Sequence, residues 1–305
     1  MNGEPDPGSE RDAPSPRHET IFMDGPIHIA DFGGEGQPLL LVHGLGSSHA
    51  IWLGVGAALS RHAHVVAVDL PGFGYSPLRR RSASVDAAAG YLVRVIDAVF
   101  GSPAVVVGNS MGGVVGMLAA RGHPDEVSGL VLVNPGLRRP SGVHLDREVL
   151  RRFGAILLPV VGESYLGRQW GDLGPEGVVR ASIDLSCTDP SRVPSFVVES
   201  LVEVVTHVQR SPGSRHAYLE ATRSLIRFAG SHRQHRRLIT GFDQPTLLVV
   251  GEHDRLVPAE AARAVAVERP DWAFEVLRGA GHTPQLDHPD ALVAAITGWL
   301  SGTFD

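Results

Sequence analysis

From Pro38 onward the chain repeats one design: a short unbroken run of valine and leucine, then at once Gly, Asp, Asn or Pro, then a segment of helical length. The runs are PLLLVHG (Pro38–Gly44), HVVAVDLPG (His64–Gly72), PAVVVGNS (Pro103–Ser110), VSGLVLVNP (Val127–Pro135), PTLLVVGEHD (Pro245–Asp254) and AFEVLRGAGH (Ala273–His282). Unbroken rather than alternating apolar runs mean strands covered on both faces, as in a parallel sheet. Between them, residues 48–60, 85–99, 111–121, 259–268 and 289–300 carry apolar side chains at three- and four-residue spacing, the helical period. Upstream, IFMDGPIHIADFG reads as two short strands around an Asp24-Gly25 turn. The pattern predicts an α/β fold: a doubly wound, mostly parallel sheet of about eight strands flanked by helices.

The alternation stops after Gly136 and resumes at Thr246. Within the gap, REVLRRFGAILL, PEGVVRASIDLS, SFVVESLVEVVTHV and HAYLEATRSLIRFA have helical spacing. The expected organisation is a disordered tail over 1–19, a core over 20–136 and 241–305, and a helical cap insertion over 137–240 above the strand ends. The alternative for the insertion is a separate domain with its own partner. Leu157, Leu158, Val160, Val161, Phe196, Val197, Leu201 and Phe228 are apolar positions that face a pocket or hold the insertion to itself.

Composition narrows the setting. Hydrophobic residues make up 43% and charged residues 20%, enough for a sizeable core. The net charge of −6 argues against a nucleic-acid partner. There is no lysine, so all 27 positive charges are arginines, which reads as codon bias. Cys187 is the only cysteine, so no internal disulfide forms, and a reducing compartment fits. The first twenty residues lack the apolar segment of a signal peptide. No apolar run nears the roughly 18 residues of a membrane span. FGAILLPVVG comes nearest. A cytoplasmic protein without membrane or nucleic-acid partners is expected, its oligomeric state open. The fifteen histidines are scattered, with no His-x-x-x-His pair beside a third ligand, so no metal is expected. SHRQHRRL (Ser231–Leu238), with Arg233 and Arg236, reads as a solvated helix face or a contact for an anionic group, and Arg79–Arg81 as a surface loop.

The chemistry lies at the ends of the apolar runs. Gly108-Asn109-Ser110-Met111-Gly112 follows a strand and opens a helix. A sharp strand-to-helix turn needs small neighbours and raises the serine oxygen at the sheet edge; the other reading is a helix N-cap. A serine hydroxyl needs a base, and the base an orienting acid. Asp254 and His282 end later strands, in the chain order Ser, Asp, His. Alone, Asp254 could cap the next helix and His282 could be a loop histidine. His43-Gly44-Leu45-Gly46, after the first parallel strand, lets backbone N–H groups approach an oxyanion. The expected donors are the N–H groups of Leu45 and Met111. Gly44 and Gly46 shape the loop, and His43 ties it.

These elements, with DLPGFGYS, RGHPDEVSGLVLVNP and GEHDRLVP, resemble the α/β-hydrolase superfamily over roughly residues 20 to 303. The resemblance implies Ser110 as nucleophile, Asp254 as acid, His282 as base, 137–240 as cap and no cofactor. The expected activity is hydrolysis of a carboxylic ester of a hydrophobic small molecule through an acyl-enzyme. GNSMGG and Gln285 are also similar to carbon–carbon hydrolases of aromatic ring-cleavage products. Those enzymes usually read Gly-Pro-Gly after the His-Gly pair, where this chain has Leu45-Gly46-Ser47-Ser48. A non-catalytic ligand binder on the same fold is the third reading.

Overall fold

The computed structural model describes residues 15–144, 146, 147, 149 and 161–304. One eight-stranded sheet runs through it in the order β1-β2-β4-β3-β5-β6-β7-β8. The strands are β1 (Arg17–Phe22), β2 (Pro26–Gly33), β3 (Pro38–Val42), β4 (His64–Val68), β5 (Ala104–Asn109), β6 (Val127–Val133), β7 (Thr246–Gly251) and β8 (Ala273–Leu277). The pairs β1–β2 and β2–β4 are antiparallel, and β3 to β8 are parallel. The expected hairpin is present, but β1 begins at Arg17, inside the stretch read from sequence as tail. Pairing with β2 from Arg17 through Phe22 orders those residues.

Alternate side chains of each buried strand feed two separate cores. Leu40, Val42, Val66, Val68, Val106, Leu130, Leu132, Leu248 and Val250 pack on one face with α2 (Val85–Phe100), α3 (Met111–Gly122) and α8 (Ala259–Glu268). Leu39, Leu41, Val65, Ala67, Val105, Val107, Val131 and Val133 pack on the other with α1 (Leu53–Leu59) and α10 (Pro289–Phe304). Local signals bound the helices. Ser84 accepts the Ala87 N–H at the start of α2, and Gly101, at φ 61°, ends it in the left-handed conformation.

β3 lies between β4 and β5, so the chain steps one way from β3 to β4 and then crosses back. Helix connections at such a switch point leave from opposite faces and open a crevice beyond the strand ends. Val42 of β3 pairs with Gly108 of β5 there, so the segments after these strands are neighbours.

Between β6 and β7 stand α4 (Val161–Ser186), broken at Gly174, then α5 (Ser195–Arg210), α6 (Ser214–Gly230) and α7 (His232–Ile239). The helix expected in REVLRRFGAILL falls, but for Arg147 and Val149, outside the described residues, as do Leu157, Leu158, Val160 and the side chain of Val161. Val197 and Leu201 are buried in the second core, while Phe196 is largely exposed. Arg233 and Arg236 are exposed on α7. Arg81 departs from the surface reading. It is buried, donates to the carbonyls of Pro26 (2.8 Å), Met23 and Gly25, and so closes the β1–β2 turn. A short α9 (Pro284–Asp287) precedes α10.

Candidate active site

Ser110 joins β5 to α3 with φ 55° and ψ −112°. Such a conformation costs a residue with a side chain about 1–3 kcal/mol and persists only when its surroundings enforce it. The enforcement is visible. The Ser110 N–H donates to the Val133 carbonyl at 3.0 Å, and its own carbonyl accepts from Gly113 and Gly136, each at 3.1 Å. The hydroxyl makes no cap bond to α3. The turn is too close for side chains: a Cβ on Gly108 would lie 2.4 Å from the Gly112 carbonyl, and one on Gly112 2.3 Å from the Val42 oxygen.

His282 and Asp254 meet as a pair. His282 Nδ1–H donates to Asp254 Oδ2 at 2.7 Å, and both residues are buried. The other carboxylate oxygen accepts the N–H groups of Leu256 (2.8 Å) and Val257 (2.9 Å). Asp254 therefore holds its own loop and the imidazole together, and it is not the cap of α8, whose N-cap is Pro258. With the proton on Nδ1, the Nε2 lone pair of His282 is left to accept another.

The loop after β3 touches the serine turn. A Cβ on Gly44 would sit 3.3 Å from both Ser110 Cβ and Asn109 Oδ1. His43 ties this loop from beneath. Its Nδ1–H donates to the Gly44 carbonyl at 2.7 Å, and its Nε2 accepts the Leu70 N–H at 3.1 Å. Burial holds the His43 pKa below its ordinary value, which keeps that neutral tautomer. Gly46, at φ 70°, faces Tyr218 of α6, whose ring edge would stand 2.6 Å from an added Cβ. Met111 is buried at the first position of α3, where backbone N–H groups have no partner within the helix.

Residues 37–289 match the family model described as the alpha/beta hydrolase fold. The chain belongs to that family. Over 278 residues it is 29% identical to the 2-hydroxy-6-oxo-6-(2'-aminophenyl)hexa-2,4-dienoic acid hydrolase of Metapseudomonas resinovorans, spanning 89% of this chain and 87% of that one. Over 276 residues it is 30% identical to the pimeloyl-[acyl-carrier protein] methyl ester esterase of Xanthomonas axonopodis pv. citri, spanning 88% and 97%. A thermophilic esterase from Thermogutta terrifontis superposes with a TM-score of 0.69 at 26% identity, covering 94% of this chain and 98% of that one.

In this α/β hydrolase two asparagines do positioning work that the sequence reading left unassigned. Asn109 donates to the His282 carbonyl at 3.0 Å and to the Val133 carbonyl at 3.2 Å. Asn134, in the left-handed region at φ 45°, donates to the carbonyls of Gly281 (2.9 Å) and His282 (3.0 Å) and accepts the Gly251 N–H at 2.8 Å. Both end buried strands immediately before a turn, the signal that also marks Ser110. The far side of the histidine loop is held by α4: the Ser186 carbonyl accepts the His282 N–H at 2.7 Å. Gln285, three residues on, is buried, and neither side-chain amide atom has a hydrogen-bond partner among the described residues. Cys187 is buried against Thr283, and burial pushes its thiol pKa up to about 11, so it is no nucleophile at neutral pH.

The fold also gathers histidines that looked scattered along the chain: His18, His28 and His49 come together. Among the described residues no helix is long and apolar enough to cross a membrane.

Proposed function

We propose that Ser110 is the nucleophile of this hydrolase, His282 its general base and Asp254 the group that orients the base. The substrate is a carboxylic ester of a hydrophobic small molecule. The carrying observation is the 2.7 Å bond from His282 Nδ1 to Asp254, on a loop that Asn109, the residue beside Ser110, also holds. The Nε2 lone pair takes the hydroxyl proton as Ser110 Oγ attacks the ester carbonyl. Asp254 stabilises the imidazolium that forms. The N–H groups of Leu45 and Met111 receive the oxyanion, a contribution of about 3–4 kcal/mol per donor in such sites. His282 then protonates the leaving alcohol, and water, activated the same way, releases the acid. Residues 137–240 act as a cap, with Tyr218 and Ala217 of α6 resting on the loops at Gly46 and Gly72.

A carbon–carbon hydrolase is the second reading. It is favoured by the unpaired amide of Gln285 and by the likeness to the dienoic acid hydrolase. The test is direct. A fluorophosphonate probe is expected to label Ser110 in wild-type protein and not in Ser110→Ala. Turnover of nitrophenyl esters of graded acyl length is then compared with turnover of a 2-hydroxy-6-oxo-dienoic acid. Faster turnover of the dienoic acid would reverse the ranking of the two readings. Neither labelling nor turnover would leave a non-catalytic binder.

A further inference from the structure

The edge of the sheet opposite β8 holds a cluster that ester hydrolysis does not use. His18 on β1, His28 on β2 and His49, in the turn before α1, each offer one ligand atom, and these atoms all lie within 4.8 Å of one another. His18 Nδ1 and His28 Nε2 are 3.1 Å apart. Behind them sits the buried Asp69 at the end of β4. It accepts His28 Nδ1–H at 2.9 Å and His49 Nδ1–H at 3.0 Å, together with the N–H groups of His49 (2.6 Å) and Tyr75 (2.9 Å). One carboxylate thus fixes two imidazoles in the same tautomer with the Nε2 lone pair turned away from it; that of His28 accepts the His18 Nδ1–H, a proton that a bound ion would replace. Histidines that bind metals are held in this way, by a carboxylate on the ring nitrogen remote from the ion.

We infer that His18, His28 and His49 form a binding site for one divalent transition-metal ion of the zinc class, with Asp69 as the carboxylate behind the ligands. Imidazole nitrogens suit zinc, cobalt or nickel rather than calcium or magnesium. Two nitrogens bound to one tetrahedral zinc stand ~3.3 Å apart, close to the His18–His28 separation. His28 and His49 are buried whereas His18 is exposed, which leaves one side for entry and for a solvent ligand. Negative charge favours a cation there. The Asp69 carboxylate is fully buried and in direct contact with both His28 and His49. Glu203 of α5 accepts the Tyr75 hydroxyl at 3.1 Å, and the Tyr75 ring lies 5.8 Å from that of His49. The bound ion ties the hairpin to the segment that follows the Leu45 loop.

The test uses full-length protein, free of any affinity tag and stripped with a chelator, titrated with zinc alone by calorimetry. Wild type is expected to bind one equivalent more tightly than all others. His18→Ala, which changes an exposed side chain and spares the fold, weakens that equivalent by about tenfold or more. Cobalt bound in the same place gives the strong visible absorption of a tetrahedral site, and His18→Ala loses it. Zinc raises the Tm of wild type and not of His18→Ala. Failure of wild type to bind zinc, or equal binding by His18→Ala and wild type, would overturn the site. Fluorophosphonate labelling of the stripped protein reads the Ser110 proposal separately.

Discussion

Asn134 Nδ2 lies 3.0 Å from the carbonyl oxygen of His282, and the same side chain accepts the Gly251 N–H through its oxygen. One amide at the end of β6 therefore sets where the β7 and β8 loops stand relative to each other. Asn134→Ala takes the partner from the Gly281 carbonyl and from the Gly251 N–H, which costs about 1–3 kcal/mol. It also loosens the backbone of His282, which Asn109 and Ser186 then hold without it. The expected outcome is a lowered urea midpoint and a fall in kcat larger than any change in KM. An unchanged kcat in folded protein would make Asn134 structural only.

Ser110 carries backbone strain as well as a hydroxyl. Replacing it with glycine removes the Cβ from an unfavourable conformation, partly offset by the freedom glycine gains when unfolded. Ser110→Gly is expected to be more stable than wild type by about 1 kcal/mol in urea denaturation, while losing activity by several orders of magnitude. Ser110→Ala should lose as much activity without the gain in stability.

The glycines of the chain divide by what surrounds them. Gly112→Ala drives a methyl group into the Val42 carbonyl, and a destabilisation of about 3 kcal/mol or more is expected. Gly90, within α2, has nothing within 4 Å of an added Cβ. Gly90→Ala should raise stability by about 0.5–1 kcal/mol, as for alanine over glycine in a helix. Urea midpoints of the two variants, measured together, check both.

His43 makes stability depend on pH. Burial lowers its folded pKa below the ordinary histidine value of about 6.5. Below that pH the unfolded chain binds a proton that the folded chain refuses, so stability falls as pH drops through 6.5 and is unaffected above it. The slope from one such group reaches about 1.4 kcal/mol per pH unit. His43→Gln can still donate and accept, and it does not titrate. Its urea midpoint should be lower than wild type at pH 8, with a shallower decline between pH 7 and pH 5.

Strands, helices and the Ser110, Asp254 and His282 positions were legible because each is a local event, a polar residue closing an apolar run. Arg81 was not, because nothing in Arg-Arg-Arg tells which side chain turns inward to cap carbonyls at Met23 to Pro26. The histidine cluster was hidden for the same reason on a larger scale. His18, His28, His49 and Asp69 lie on different elements, and only the pairing of β1 on β2 and β2 on β4 brings them into contact. Asn134 resembled an ordinary residue before proline. Its second role depends on a loop that begins far downstream.

The hydrogen bond from the His282 N–H to the Ser186 carbonyl has a practical meaning for anyone recombining this fold. An exchange of the helices between β6 and β7 with those of a relative, made to alter substrate choice, has its safe splice after Thr188 rather than at the strand ends. A graft that replaces Ser186 to Thr188 would carry a new specificity onto a loosened histidine.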